Sequence, residues 1–152
     1  MKLDPIDKKI INLLQRDCKQ THKNLSLFLN LSVTAVYERI KKLEKHGFIT
    51  GYVTLIDKNK VNRSFLVFCH VRLLQHSKGF LVHFEKEVLK LDKVSECFHV
   101  SGDYDYILKI HVENMSAYRE FMVRKLTIIQ HIGNTHSIFT IHELKNTTEI
   151  VL

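Results

Sequence analysis

The sequence has no apolar run of the roughly 20 residues needed to cross a bilayer. Nor does a charged N-terminus lead into an apolar stretch of the kind that directs secretion. These two absences predict a cytoplasmic protein with no membrane partner. Cysteine is scarce: Cys18, Cys69 and Cys97 are an odd number, far apart, with no CxxC pair. Neither a disulfide framework nor a structural zinc site is therefore expected. Of the ten histidines, His70, His99, His111, His131, His136 and His142 lie on or beside different predicted elements and no HxxxH or HExxH unit appears, so no metal is expected either. Cys97 and His99 share a strand face, but a nucleophile also needs a third, orienting group. With no GxSxG, no phosphate-binding loop and no carboxylate pair placed for acid–base work, the chain reads as neither an enzyme nor a cofactor carrier. One further absence is net charge in residues 64–152, where 10 Lys and Arg balance 10 Asp and Glu. Residues 1–63 hold 13 against 6, so the whole excess of +7 lies there. A basic module joined to a neutral one is expected when only one of them meets a polyanion.

What is present in the basic part is organised around LSVTAVYERIKKLEKHG, Leu31 to Gly47. Ser32 is placed to cap a helix, and Gly47 can stop it in a left-handed conformation. At about 100° per residue, Val36, Ile40 and Leu43 form one apolar stripe. Thr34, Glu38, Lys41, Lys42 and Lys45 lie opposite, with Tyr37 and Arg39 at the flanks. A basic outer face with short polar groups near its start suits an element lying in a DNA major groove. A solvated amphipathic helix would show the same face, so the residues before it decide the reading. Asp4 caps a first helix, with the single proline, Pro5, at its first position, Asp7 in its first turn, and Ile6, Ile10, Leu13 and Leu14 inward. Thr21 caps a short second helix, with Leu25, Phe28 and Leu29 inward. Asn30 then tolerates the tight left-handed turn into the third. Helix, turn, helix is the expected unit. Ser32, Thr34, Tyr37, Glu38 and Arg39, with phosphate-contacting Lys41, Lys42 and Lys45, are the candidate DNA-binding residues. Ile49 to Ile56 alternates loosely and is expected to form a short strand or wing. Asp57 to Arg63 reads as a linker.

From Ser64 the period changes. Phe65 to Leu74 is a strand apolar on both faces. Lys78 to Leu91 is helical. Val94 to Val100 and Tyr104 to Val112 are strands around a Ser101-Gly102-Asp103 turn. Ser116 caps a helix carrying Tyr118, Met122, Leu126 and Ile129, and Thr135 to Leu144 is the last strand. This order is the ferredoxin-like split βαβ arrangement. The fold class is α+β: residues 1–56 form a winged helix-turn-helix, 57–63 a linker and 64–152 a βαββαβ domain. Helices cover one sheet face, and the simplest cover for the other is a second copy.

Leu3-Asp4 with Asp7 and Ile10, the stretch LSVTAVYERIKKLEKHGFITGY, SGDYDYILKIHV, MSAYREF and the segment Ile138 to Val151 resemble the Lrp/AsnC family of transcription regulators, its leucine-responsive branch in particular. Asn30 departs from the usual glycine, and Val33 from the usual proline. The resemblance implies a sequence-specific DNA-binding regulator whose dimers assemble further, often into octamers. It also implies an amino-acid effector bound between dimers near the glycine-aspartate turn. Carried onto this chain, the effector residues are Gly102, Asp103, Tyr104, Asp105, Met115, Ile138, Phe139 and Thr140. From chemistry alone, Gly102-Asp103 is equally an ordinary hairpin turn. Asp103 and Asp105, two apart, would point to one side of an extended segment and converge on a ligand ammonium. Two rival functions remain open. One is a tetrapyrrole-decarboxylating enzyme of similar shape, and the other is a nucleoid-style architectural protein.

Overall fold

Helix α1 (Pro5–Arg16) starts where its sequence demands. The Asp4 carboxylate accepts from the Asp7 N–H at 2.7 Å, and the Asp7 carboxylate accepts in return from the Asp4 N–H at 3.2 Å. This reciprocal cap satisfies two otherwise orphaned donors. The computed structural model describes residues 1–152, which divide into two units. One is Met1–Leu55 with Leu144–Leu152, and the other is Ile56–Glu143.

In the first unit α2 (His22–Leu29) is capped by Thr21 and ends at Asn30, whose φ of 53° is left-handed. Helix α3 (Val33–Lys45) is capped by Ser32, and Gly47 turns the chain away at φ 73°. The Phe48 N–H donates back to the Leu43 carbonyl at 2.9 Å, which closes the helix end. Ile10, Ile11, Leu14, Leu25, Val36, Ile40 and Leu43 form the core. Each fully buried side chain stabilises the unit by about 1.5–3 kcal/mol. Phe28 is not among them: it is 73% exposed, beside an equally free Leu27. On so short a helix the inward stripe ends with Leu25 and Ser26 buried and Leu29 half-buried. The expected wing strand is also absent, because Ile49 to Ile56 has no ladder partner within the chain.

The tail is the larger surprise. Leu144–Leu152 packs on the first unit rather than continuing the second. The Gln15 amide donates to the Ile150 carbonyl and accepts from the Ile150 N–H, both at 2.8 Å. Beside it the Arg16 Nε pairs with Glu149 at 2.8 Å.

The second unit is a four-stranded antiparallel sheet: β1 (Phe65–Leu73), β2 (Val94–His99), β3 (Tyr106–Val112) and β4 (Ile132–Phe139), in the order β2-β3-β1-β4. Helices α4 (Lys78–Val88) and α5 (Met115–Phe121) cover one face. Against them lie Val67, Cys69, Val71, Tyr106, Leu108 and Ile110, all buried. A π-helical turn, Met122–Leu126, follows α5. Two sequence expectations shift. Asn114, not Ser116, caps α5, accepting from the Ala117 N–H at 2.9 Å. Strand β4 starts at Ile132 and stops at Phe139, so Leu144 is exposed. The ladder runs out near the start of β1, where Phe139 already faces Val67. The opposite sheet face carries Leu66, Phe68, His70, Phe98, Ile107, His136 and Ile138; α4 and α5 do not cover it, and Phe98 and Ile138 are exposed there while Leu66 is buried.

Candidate nucleic-acid interface and effector site

The outer face of α3 takes its geometry from α1. One Arg39 guanidinium nitrogen reaches the Asp4 carboxylate at 2.6 Å and the Asp7 carboxylate at 2.7 Å. Asp7 is buried, so this ion pair fixes the start of α1 against the middle of α3. The Asp4 carboxyl is held below its ordinary range by the Asp7 N–H and then by Arg39. Arg39, proposed for DNA from sequence, thus spends one donor group inside the unit. The other sequence-chosen side chains stay outward. Thr34, Glu38, Lys42 and Lys45 are exposed, and neither lysine has an ion-pair partner among the salt bridges of the chain. Lys41 pairs with Glu44 at 3.1 Å and lies 5.9 Å from the centre of the Tyr37 ring. The Ser32 hydroxyl accepts from the Ala35 N–H at 3.1 Å, so it caps the helix and keeps its own proton free to donate.

Glu38, Arg39, Lys41, Lys42 and Lys45 line an open groove of about 600 Å³ with Lys2, Asp4, Asp7 and His46, and Ser32, Thr34 and Tyr37 are not part of its lining. Lys2 and His46 were not singled out from sequence. A lysine two residues before a helix cap carries no periodic signal. His46 joins the groove because its Nδ1 donates to the Lys42 carbonyl at 2.8 Å. Outside the groove, the ring of His22, the first residue of α2, packs edge-on to Tyr37 with centroids 5.5 Å apart.

The expected effector residues divide in two. Strand register puts Tyr106 opposite Val71, so the Gly102–Asp105 turn lies at the end of β1. Val112 faces Phe65 and Phe139 faces Val67, so Met115, Phe139 and Thr140 lie toward the start of β1. At about 3.3 Å per residue the two groups are some 13–20 Å apart. One copy of the chain does not bring them into a single site. Gly102 has φ 129°, a conformation that favours glycine, and open space where a side chain would stand. Asp103 is exposed and Tyr104 half-buried.

Asp105 corrects the sequence argument for paired carboxylates. It is 4% exposed. One of its oxygens accepts from the Leu73 N–H at 2.7 Å, and the other lies 2.8 Å from His76 Nδ1. Its backbone N–H also donates to the Val71 carbonyl at 2.9 Å. Asp103 and Asp105 do not converge, because the chain bends at Ser101–Asp103 and the two-residue alternation of a strand does not apply. Asp105 instead fastens the turn to the end of β1. Among the remaining expected residues, Met115 opens α5 and is exposed. Ile138 faces Phe68 across the uncovered side. Phe139 packs edge-on to Tyr118 at 5.5 Å, and the Thr140 N–H donates to the Leu66 carbonyl at 3.1 Å.

Comparison with known proteins matches both halves. A domain described as winged helix-turn-helix DNA-binding matches residues 3–50, and the Lrp/AsnC ligand binding domain matches residues 66–150. The leucine-responsive regulatory proteins of Escherichia coli K12 and Klebsiella pneumoniae are each 36% identical over 150 residues. That covers 99% of this chain and 92% of theirs. An AsnC family transcriptional regulator from Agrobacterium tumefaciens superposes with a TM-score of 0.93 at 35% identity, covering 97% of this chain and 96% of that one. A transcriptional regulator from Neisseria meningitidis, solved in complex with L-Met, also gives 0.93, at 30% identity over 98% of this chain and 96% of that one. A helix-turn-helix with a basic outer face, joined to this βαββαβ ligand-binding domain, defines a DNA-binding transcription regulator rather than an enzyme. The chain belongs to the Lrp/AsnC family.

Proposed function

We propose that this regulator reads specific operator sequences with α3 as a cytoplasmic homodimer. The dimers assemble further, to an octamer, under the control of an amino acid. The observation that carries DNA reading is the outer face of α3, where Thr34, Glu38, Lys42 and Lys45 stand exposed around a braced helix. Lys41, Lys42 and Lys45 contact phosphates and set register, while Ser32, Thr34, Tyr37 and Glu38 approach base edges. Arg39 positions the helix and keeps its remaining donors for phosphate.

The division of the effector residues supports a site completed by more than one protomer. Gly102, Asp103 and Tyr104, shaped by Asp105, come from one copy, and Met115, Ile138, Phe139 and Thr140 from another. The Neisseria regulator's bound L-Met supports an amino acid as the ligand class. The uncovered face with Phe68, Phe98 and Ile138 is the surface a second copy would bury. The test is a thermal-shift screen of the twenty amino acids on the full chain, followed by fluorescence anisotropy on operator and scrambled DNA. A raised midpoint with one of them is expected, because a ligand bound only to the native state stabilises it. Equal affinity for operator and scrambled DNA would favour the architectural reading instead. Light scattering showing only monomers would remove the assembly.

A further inference from the structure

On the uncovered face of the sheet, strand register brings together two histidines that are 66 positions apart in sequence. His70 of β1 and His136 of β4 are direct partners across the antiparallel ladder. Such partners hold their Cβ atoms about 4.5–5.5 Å apart on the same face. The two ring centroids are 6.2 Å apart, with planes at 65°. Neither imidazole makes a hydrogen bond or an ion pair within the chain; their only ring neighbours are each other and Tyr104. Tyr104 closes the triangle, its ring 5.0 Å from His70 and 6.2 Å from His136.

We propose that His70 and His136 chelate a borderline divalent transition-metal ion, Ni²⁺, Cu²⁺ or Zn²⁺, on the open face of the sheet. No group of three or more His, Cys, Asp or Glu side chains converges anywhere in the chain, so the protomer supplies two imidazoles and a neighbouring phenol. With metal–nitrogen bonds of about 2.0–2.1 Å and a ring half-width of about 1.1 Å, two centroids sharing one ion lie at most about 6.4 Å apart. The observed 6.2 Å falls inside that limit. A tetrahedral angle needs about 5.2 Å, a closure of some 1 Å that χ rotation on fixed strands supplies. Imidazole donors select this group of ions, and the absence of a carboxylate in the triangle argues against calcium or magnesium. The remaining coordination positions take water, or the same pair from a second copy where one covers this face. Arg72 lies two residues along β1 on the same face and is exposed, so its charge can swing away. The inference needs no effector, although Tyr104 is also among the proposed effector residues.

The test uses the full, untagged chain freed of metal by a chelator. Titration calorimetry with NiCl₂ is expected to show saturable binding. His70→Ala and His136→Ala should each weaken it at least tenfold, and the double variant should lose little more, because one imidazole alone no longer chelates. His142→Ala, an exposed histidine of the same chain, should bind like the wild type. Affinity within twofold of wild type in a folded His136→Ala protein would overturn the proposal. A measurement on the unmodified chain guards against misfolded variants. Substoichiometric Ni²⁺ should broaden the NMR ring signals of His70 and His136 first, and earlier broadening of any other histidine would also overturn it.

Discussion

The two units solve the problem of placing functional groups in opposite ways. In the first, nearly every candidate DNA-contacting group sits on one helix of 13 residues, and spacing along that helix fixes its direction. In the second, the candidate groups come from a turn, a helix start and a strand end, and only the ladder decides which are neighbours. A face built on one element can be read from local periodicity. A face built across strands depends on register, which the chain specifies only by folding.

The sharpest way to break this comparison is to damage one core at a time. Leu43→Ala in the first unit and Leu108→Ala in the second each remove a fully buried side chain and should cost about 2–5 kcal/mol. Hydrogen exchange read helix by helix should show the loss confined to the mutated unit. Equal loss of protection in α3 for Leu108→Ala would show that the two cores act as one. Next in size is Arg39→Ala. It strands the buried Asp7 carboxylate and should cost about 1.5–3 kcal/mol, with weaker DNA binding at every salt concentration. If Arg39 is a phosphate contact alone, thermal unfolding of this variant will match the wild type.

A smaller effect separates the lysines from that brace. Lys42→Ala should leave the melting temperature unchanged and flatten the salt dependence of DNA affinity by about 1 unit of slope. An unchanged slope would take Lys42 off the DNA. The smallest expected signal is a titration. The Tyr52 hydroxyl donates to Glu44 at 3.0 Å, and burial, with that carboxylate beside it, pushes its pKa up to about 12. The folded pKa is raised, so its contribution to stability is complete below the ordinary tyrosine range near 10 and fades as pH climbs through about 12. Tyr52→Phe should abolish one late step in the absorbance titration of the folded chain. Survival of that step would assign it elsewhere.

What could be read beforehand follows the same division. The caps at Asp4, Thr21 and Ser32 and the left-handed Asn30 were legible because each depends on its immediate neighbours. The order of elements in the second unit was legible from the change of period. Phe28 was misplaced because periodicity on an eight-residue helix cannot tell which edge of the stripe meets the core. Asn114 outranks Ser116 as a cap because the chain enters α5 two residues earlier than the hydroxyl suggests. The burial of Asp105 depends on the Leu73 N–H, 32 positions away, and the brace at Arg39 on carboxylates 32 and 35 positions away. No spacing rule reaches that far. The pairing of His70 with His136 is invisible for the same reason.

The tail that packs beside Gln15 has a consequence for how the molecule is made. Both Met1–Leu55 and Leu144–Leu152 belong to the first unit, so the second is, in topological terms, an insertion within it. Synthesis from the N-terminus delivers the three helices early but the segment that pairs with Gln15 only after residues 56–143 have emerged. A nascent chain therefore cannot finish its DNA-reading unit before its sensing unit exists.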